Sequence, residues 1–243
     1  MEQITSLNDN AILLFQQGKH EQAVELLMKL LTHLRTVLST APKQEQQITF
    51  MCAAESLSTL PPRGNFIYNN VFKVVSSPAP HEERVSANRM TKMIISEGGA
   101  CHVFTACVIY NLAIIHQHLG ITGKHNDYLD KAEKLYRMCL KIAEGCVITT
   151  DDNSGSAAAL NTTLCLLQAV CYNNLSQLYL DRNGCDDAEI ESCLRNLCNI
   201  IVSLENEGGN DKSGAAVLFS EDEYDGLIAN VLLLQPATVA AAA

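Results

Sequence analysis

The chain has 243 residues, 47% of them hydrophobic and 18% charged, so it reads as globular rather than disordered and is long enough for a real core. With 27 acidic against 17 basic side chains the net charge is -10, a balance that repels phosphate backbones and speaks against nucleic acid as a ligand. Trp is absent and aromatics are 5%, so the stacking platforms of a single-strand binder are lacking as well.

Residues 1–39 read as a first helix hairpin. Leu7, Ala11, Leu14 and Phe15 make one helical stripe. Gly18 breaks it, and Ala23, Leu26, Leu27, Leu30, Leu31, Leu34 and Leu38 make a second. Glycine ends a helix readily because it accepts the left-handed conformation.

Residues 40–99 form a Pro-rich insertion without an amphipathic helix. Within it "NFIYNNVFKVV" is rich in β-branched and aromatic residues, so a short strand is expected, or a small hairpin turning at Asn69–Asn70.

Residues 100–146 read as a second hairpin. A helix over about Val103–Leu119 is apolar almost all round, which marks a buried element. Gly120 is expected to end it, before the loop "ITGKHND". Tyr128, Ala132, Leu135, Tyr136, Cys139 and Leu140 then share one face of an amphipathic helix.

Residues 147–206 give a third hairpin, with an uncharged helix over Ala157–Leu180, the break "DRNGCDD", and a stripe of Ile190, Cys193, Leu194, Leu197, Ile200, Ile201 and Leu204. Asp186 and Glu189 suit the start of its second helix. Residues 207–243 hold an acidic loop, a capping helix opening with "SEDE", and an Ala-rich tail; a strand at Ile228–Leu233 is the alternative to that helix.

Two long runs, Gly98–Gly123 and Asn153–Leu180, carry no charged residue. A membrane-spanning helix needs about 20 mostly apolar residues. Asn111, His116, Gln117 and His118 interrupt the first run, and Asn161, Gln168, Asn173, Asn174 and Gln177 the second, so buried helices without membrane insertion are expected. The ends of the chain show neither a signal-peptide pattern nor a receptor-read address, and a cytoplasmic or nuclear location is expected.

Ten cysteines raise the question of redox or metal chemistry, but no CxxC pair and no Cys–His group has zinc-ligand spacing. Most lie on apolar helix faces, where a free thiol behaves as a small hydrophobe. His116 and His118 are two residues apart, about 200° on a helix, and cannot share a metal. "GITGKH" lacks the spacing of a phosphate loop, and no HExxH or GxSxG pattern occurs. A non-enzymatic protein without cofactor or metal is expected; a cysteine-dependent enzyme or redox sensor is the alternative.

The hairpins share more than helicity. "FQQGKHEQAVELLMKLL", "YNLAIIHQHLG" with "YLDKAEKLYRMCL", and "YNNLSQLYLDRNGCDDAE" each pass from a helix ending near Gly18, Gly120 or Asn183 to a second helix carrying Ala23, Ala132 or Ala188. Small residues there let helices approach closely. This pattern resembles the tetratricopeptide repeat (TPR) family of helix–turn–helix repeats. The resemblance implies an all-α fold, here an irregular TPR-like array of antiparallel helix hairpins with a C-terminal capping helix and a short β-containing insertion.

It also implies a scaffold or adaptor that binds a peptide or partner protein in a concave groove lined by the first helices. Carried over residue by residue, the family's groove positions fall on Asn8 and Gln16, on Tyr110, Gln117 and His118, and on Asn173, Gln177 and Asp181. Because Leu7–Gln17, Val103–Leu119 and Ala157–Leu180 contain no Lys or Arg, such a groove should prefer neutral or basic ligands over acidic tails.

Overall fold

The computed structural model describes residues 2–40, 48–55, 71–74, 90–95, 97–146, 155–182, 187–207, 219 and 221–233. Among them the chain is mostly helical: α1 (Glu2–Gln16), α2 (His20–Thr40), α3 (Glu97–Gly123), α4 (Asn126–Gly145), α5 (Gly155–Asp181), α6 (Asp187–Glu207) and α7 (Glu221–Leu233). Three strands, β1 (Ile48–Glu55), β2 (Val71–Val74) and β3 (Met90–Ile95), lie between α2 and α3. Two compact units result, one of Met1–Leu57 with Asn69–Leu164, the other of Ser58–Tyr68 with Cys165–Ala243.

In the first unit, α1 and α2 pack as an antiparallel hairpin. Ile4, Asn8, Ala11, Ile12 and Phe15 are the buried face of α1; Ala23, Leu27, Leu30 and Leu34 are that of α2. This is the helical spacing of the sequence, except that Leu7, Leu14, Leu26 and Leu31 are only half-buried and Asn8 takes an inward place on α1. Gly18 sits at φ 75°, and Lys19 N–H reaches back to the Leu14 carbonyl at 2.9 Å, closing the helix as expected.

The second hairpin is built differently from the expectation. α3 does not stop at Gly120 but runs on to Gly123. The left-handed stop is Lys124, at φ 54°, and His125 N–H bonds the Gly120 carbonyl at 3.1 Å. Gly120 instead serves close packing: a Cβ there would lie 2.3 Å from Leu129 Cδ2 and 3.1 Å from Leu129 N. The expected seven-residue loop therefore shrinks to two residues, because α3 runs on through Gly123 and α4 already begins at Asn126.

Every residue of α3 from Val103 to Gln117 is buried except Thr105. α3 packs on α4 along most of its length, and also on α2, α1, β2 and β1. The stretch His102–Gly123 is long and apolar enough to cross a membrane by length and composition, yet 78% of its apolar window is buried inside the protein, as in the core helix of a globular fold.

The insertion holds more β-structure than the sequence suggests. β1 is central, with β2 and β3 antiparallel on either side. Phe72 stands opposite Ala54 and Thr91 opposite Cys52. β2 is the end of the expected "NFIYNNVFKVV" strand; Asn69–Asn70, the suggested turn, lies outside the described residues.

In the second unit, Ile190, Cys193, Leu194, Leu197, Ile201 and Leu204 are the buried stripe of α6. The segment after Ser220 is a helix, α7, not a strand. It buries Leu227, Asn230 and Val231; Asn230 Nδ2 donates to Asn173 Oδ1 of α5 at 2.7 Å, and the Tyr224 hydroxyl donates to Glu205 of α6. α7 thus ties both preceding helices. The suggested caps Asp186 and Ser220 lie outside the described residues.

Candidate functional site

An asparagine in the middle of an apolar stripe costs stability unless its amide is bonded. Asn8 on α1 and Asn111 on α3 are both fully buried, and both find the same partner, the backbone of Phe72 in β2. Asn8 Nδ2 donates to the Phe72 carbonyl at 3.0 Å. Asn111 Nδ2 donates to that carbonyl at 2.8 Å and to Asn8 Oδ1 at 3.1 Å. The Phe72 N–H donates to Asn111 Oδ1 at 2.8 Å.

The two amides therefore hold both polar groups of one extended residue and also bond one another. The pattern fixes their orientation: with Asn111 flipped, two donors and two acceptors would face each other. In an antiparallel ladder, N–H and C=O groups of alternate residues point to opposite edges. The Asn8–Asn111 pair takes the edge of β2 away from β1, in the place of a neighbouring strand.

The Phe72 ring, 1% exposed, meets the Tyr110 ring edge-on, with centroids 5.0 Å apart and planes at 77°. Behind it Tyr136 of α4 lies 5.8 Å from Tyr110. The Tyr136 hydroxyl donates to Gln117 Oε1 at 2.6 Å.

Of the groove positions expected from sequence, Asn8 and Tyr110 are brought together, on Phe72. Gln117 is turned inward to Tyr136, its Nε2 buried without a hydrogen-bond partner among the described residues. His118 is half-buried, 5.0 Å from His20 and 5.5 Å from Phe15, so it joins α3 to the turn of the first hairpin. Burial and then His20 depress its pKa. Gln16 and Asp181 are exposed. In the second unit Asn173 is buried against Asn230, and Gln177 is buried with its Nε2 unpartnered among the described residues.

Asn111 and its partner Phe72 are not among the groove positions expected from sequence, in which Asn111 only interrupts an apolar run. A signal existed: Tyr-Asn opens both Tyr110–Gly120 and Tyr172–Gly184, and a polar residue repeated on a buried face asks for a bonded partner.

Further along α3, His116 stacks on Tyr128 of α4 with centroids 5.7 Å apart, and Lys131 Nζ lies 5.2 Å from the Tyr128 ring centre. Burial and then the Lys131 charge push His116 down to about 4. Cys107, Cys139, Cys171 and Cys193 are buried free thiols, and Cys146, Cys165 and Cys198 half-buried ones. Burial pushes the Cys146 thiol up, away from the reactive thiolate. Among the described residues no three His, Cys, Asp or Glu side chains are grouped to hold a metal ion. α1 and α3 carry Glu2, Asp9 and Glu97 and no Lys or Arg.

Comparison of the chain with known protein families, with curated proteins and with solved structures found no match.

Proposed function

We propose that this chain is a non-catalytic, TPR-like protein-interaction module that holds an extended peptide segment of a partner protein against α1 and α3. The observation that carries this reading is the Asn8–Asn111 clamp on the N–H and C=O of Phe72. Backbone groups are common to all peptides, so such a clamp gives affinity for extended chain, and a neighbouring aromatic pocket adds selectivity. The lack of basic residues on α1 and α3 favours neutral or basic segments over acidic ones.

The experiment is a titration of immobilised protein with matched acidic, neutral and basic extended peptides, each with one central aromatic residue. Wild-type protein should retain the basic set, and Asn111→Asp, which cannot donate to a peptide carbonyl, should lose it. Retention of the acidic set alone, or equal binding by Asn111→Asp, refutes the reading. Thiol alkylation of native protein addresses the cysteine-dependent alternative: one fast-reacting thiol at neutral pH would favour it instead.

A further inference from the structure

We infer that β2 is an internal ligand of the Asn8–Asn111 clamp, and that the partner is an extended protein segment of the same chemistry, with an aromatic residue at the clamp, which displaces it. The inference rests on the peptide-binding reading above and adds what fills the groove in the free protein and what must replace it.

Two observations carry it. First, the contact between β2 and the helices is one that any peptide can reproduce. The clamp touches only the N–H and C=O of Phe72, which lies 64 and 39 positions from Asn8 and Asn111 in sequence. Second, the specific element is an aromatic side chain. Phe72 is the one residue of β2 whose ring meets Tyr110, and it is buried to 1% exposure. An incoming strand with an aromatic residue at the clamp repeats both features, and it can also take the place of β2 on the edge of β1, in the antiparallel register that sets Phe72 opposite Ala54.

β2 is only four residues long and is held in the same chain as its site. A tethered ligand competes at an effective concentration of about millimolar. The apparent affinity for an external segment falls by the fraction of molecules in which the clamp is open. The free protein is thus in a self-occupied state, and only a segment that matches or exceeds β2 engages it.

The test uses the full chain and a fluorescein-labelled synthetic peptide with the sequence of Asn69–Ser76, read by polarisation. Phe72→Ala weakens the internal ligand and should raise the affinity for this peptide by about tenfold or more over wild type. Phe72→Leu, which keeps an apolar side chain, should give a smaller gain. A peptide N-methylated at its Phe, unable to donate to Asn111 Oδ1, should lose the binding to both variants.

Equal, measurable affinity in wild type and both variants overturns the internal-ligand inference and leaves the peptide-binding reading standing. No binding to any form that keeps its helical circular dichroism overturns both. Loss of the helical signal in Phe72→Ala and Phe72→Leu alike makes β2 an obligatory core element and overturns the inference as well.

Discussion

Replacing Asn111 with Leu removes both halves of its amide at nearly constant volume. Three hydrogen bonds go: one from the Phe72 N–H, one to the Phe72 carbonyl and one to Asn8 Oδ1. The carbonyl keeps Asn8 as its donor. The Phe72 N–H loses its Asn111 acceptor, and Asn8 Oδ1 loses its Asn111 donor. Each buried polar group left unmade costs about 1–3 kcal/mol. The new Leu side chain returns about 1–2 kcal/mol through apolar burial. At mid-range the two groups cost about 4 kcal/mol against about 1.5 returned, so the net expectation is a loss of about 2–3 kcal/mol, a fall in melting temperature of roughly 4–12 °C for a chain of this size. Urea unfolding followed by circular dichroism measures the loss, and amide hydrogen exchange at Phe72 reports the clamp itself. A destabilisation below about 0.5 kcal/mol, the size of an ordinary surface change, together with unchanged protection of the Phe72 amide, would refute the clamp as a stabilising contact.

Other positions give independent checks. Lys124 is held in the left-handed region at φ 54°, so Lys124→Gly should stabilise the first unit by up to about 1 kcal/mol, seen as a higher urea midpoint. Gly120→Ala should do the reverse, by about 1–2 kcal/mol, because the overlap with Leu129 outweighs the gain in helix propensity; an unchanged midpoint would mean the α3–α4 approach is looser than described. Tyr136→Phe removes the donor to Gln117 Oε1 and should cost about 1–2 kcal/mol in the same assay. His116 titrates near 4 when folded and at its ordinary 6.5 when unfolded, so the unfolded chain takes up the proton first as pH falls. Stability should therefore drop between pH 6.5 and 4, by on the order of 2 kcal/mol after discounting for solvent screening. His116→Phe should flatten that slope, and equal slopes in the two proteins would show the acid sensitivity lies elsewhere.

The helices were legible because burial imposes a period, and the period survives in the sequence. Leu27, Leu30 and Leu34, or Leu194, Leu197 and Ile201, sit where the spacing puts them. Gly120 was misread because glycine has two uses, the left-handed stop and the close approach, and sequence does not separate them when another residue, here Lys124, accepts the strained conformation. β1 and β3 were missed because "ITFMCAAE" and "MTKMII" are short apolar runs without turn signals, and such runs do not declare their period. That Asn8 and Asn111 meet on Phe72 depends on pairing across 64 and 39 residues, which no local pattern encodes.

Two Tyr-Asn pairs opened on the same physical problem, an amide on a buried helix face, and the chain solves it in two ways. At Tyr172–Asn173 the partner is another helix: Asn230 of α7 donates to Asn173 Oδ1 at 2.7 Å, and Asn173 Nδ2 donates to the Asn174 side chain at 3.1 Å. Side chains from fixed helices answer each other there, which suits a cap whose task is to close an apolar face. At Tyr110–Asn111 the amide is answered by backbone, the N–H and C=O of one extended residue. Backbone is a partner that any extended chain carries, whereas the Asn230 amide at its register on α7 is not. The distinction bears on where exchange can occur: Asn173 is tied to the fold that surrounds it, and Asn111 is tied to a conformation. If the clamp acts as proposed, substitutions of Asn230 should lower stability without altering the affinity for an extended peptide with a central aromatic residue, and substitutions of Asn111 should lower both. Fluorescence polarisation and urea unfolding on the same two variants separate the cases. A peptide affinity that follows Asn230 as closely as Asn111 would place the binding surface elsewhere.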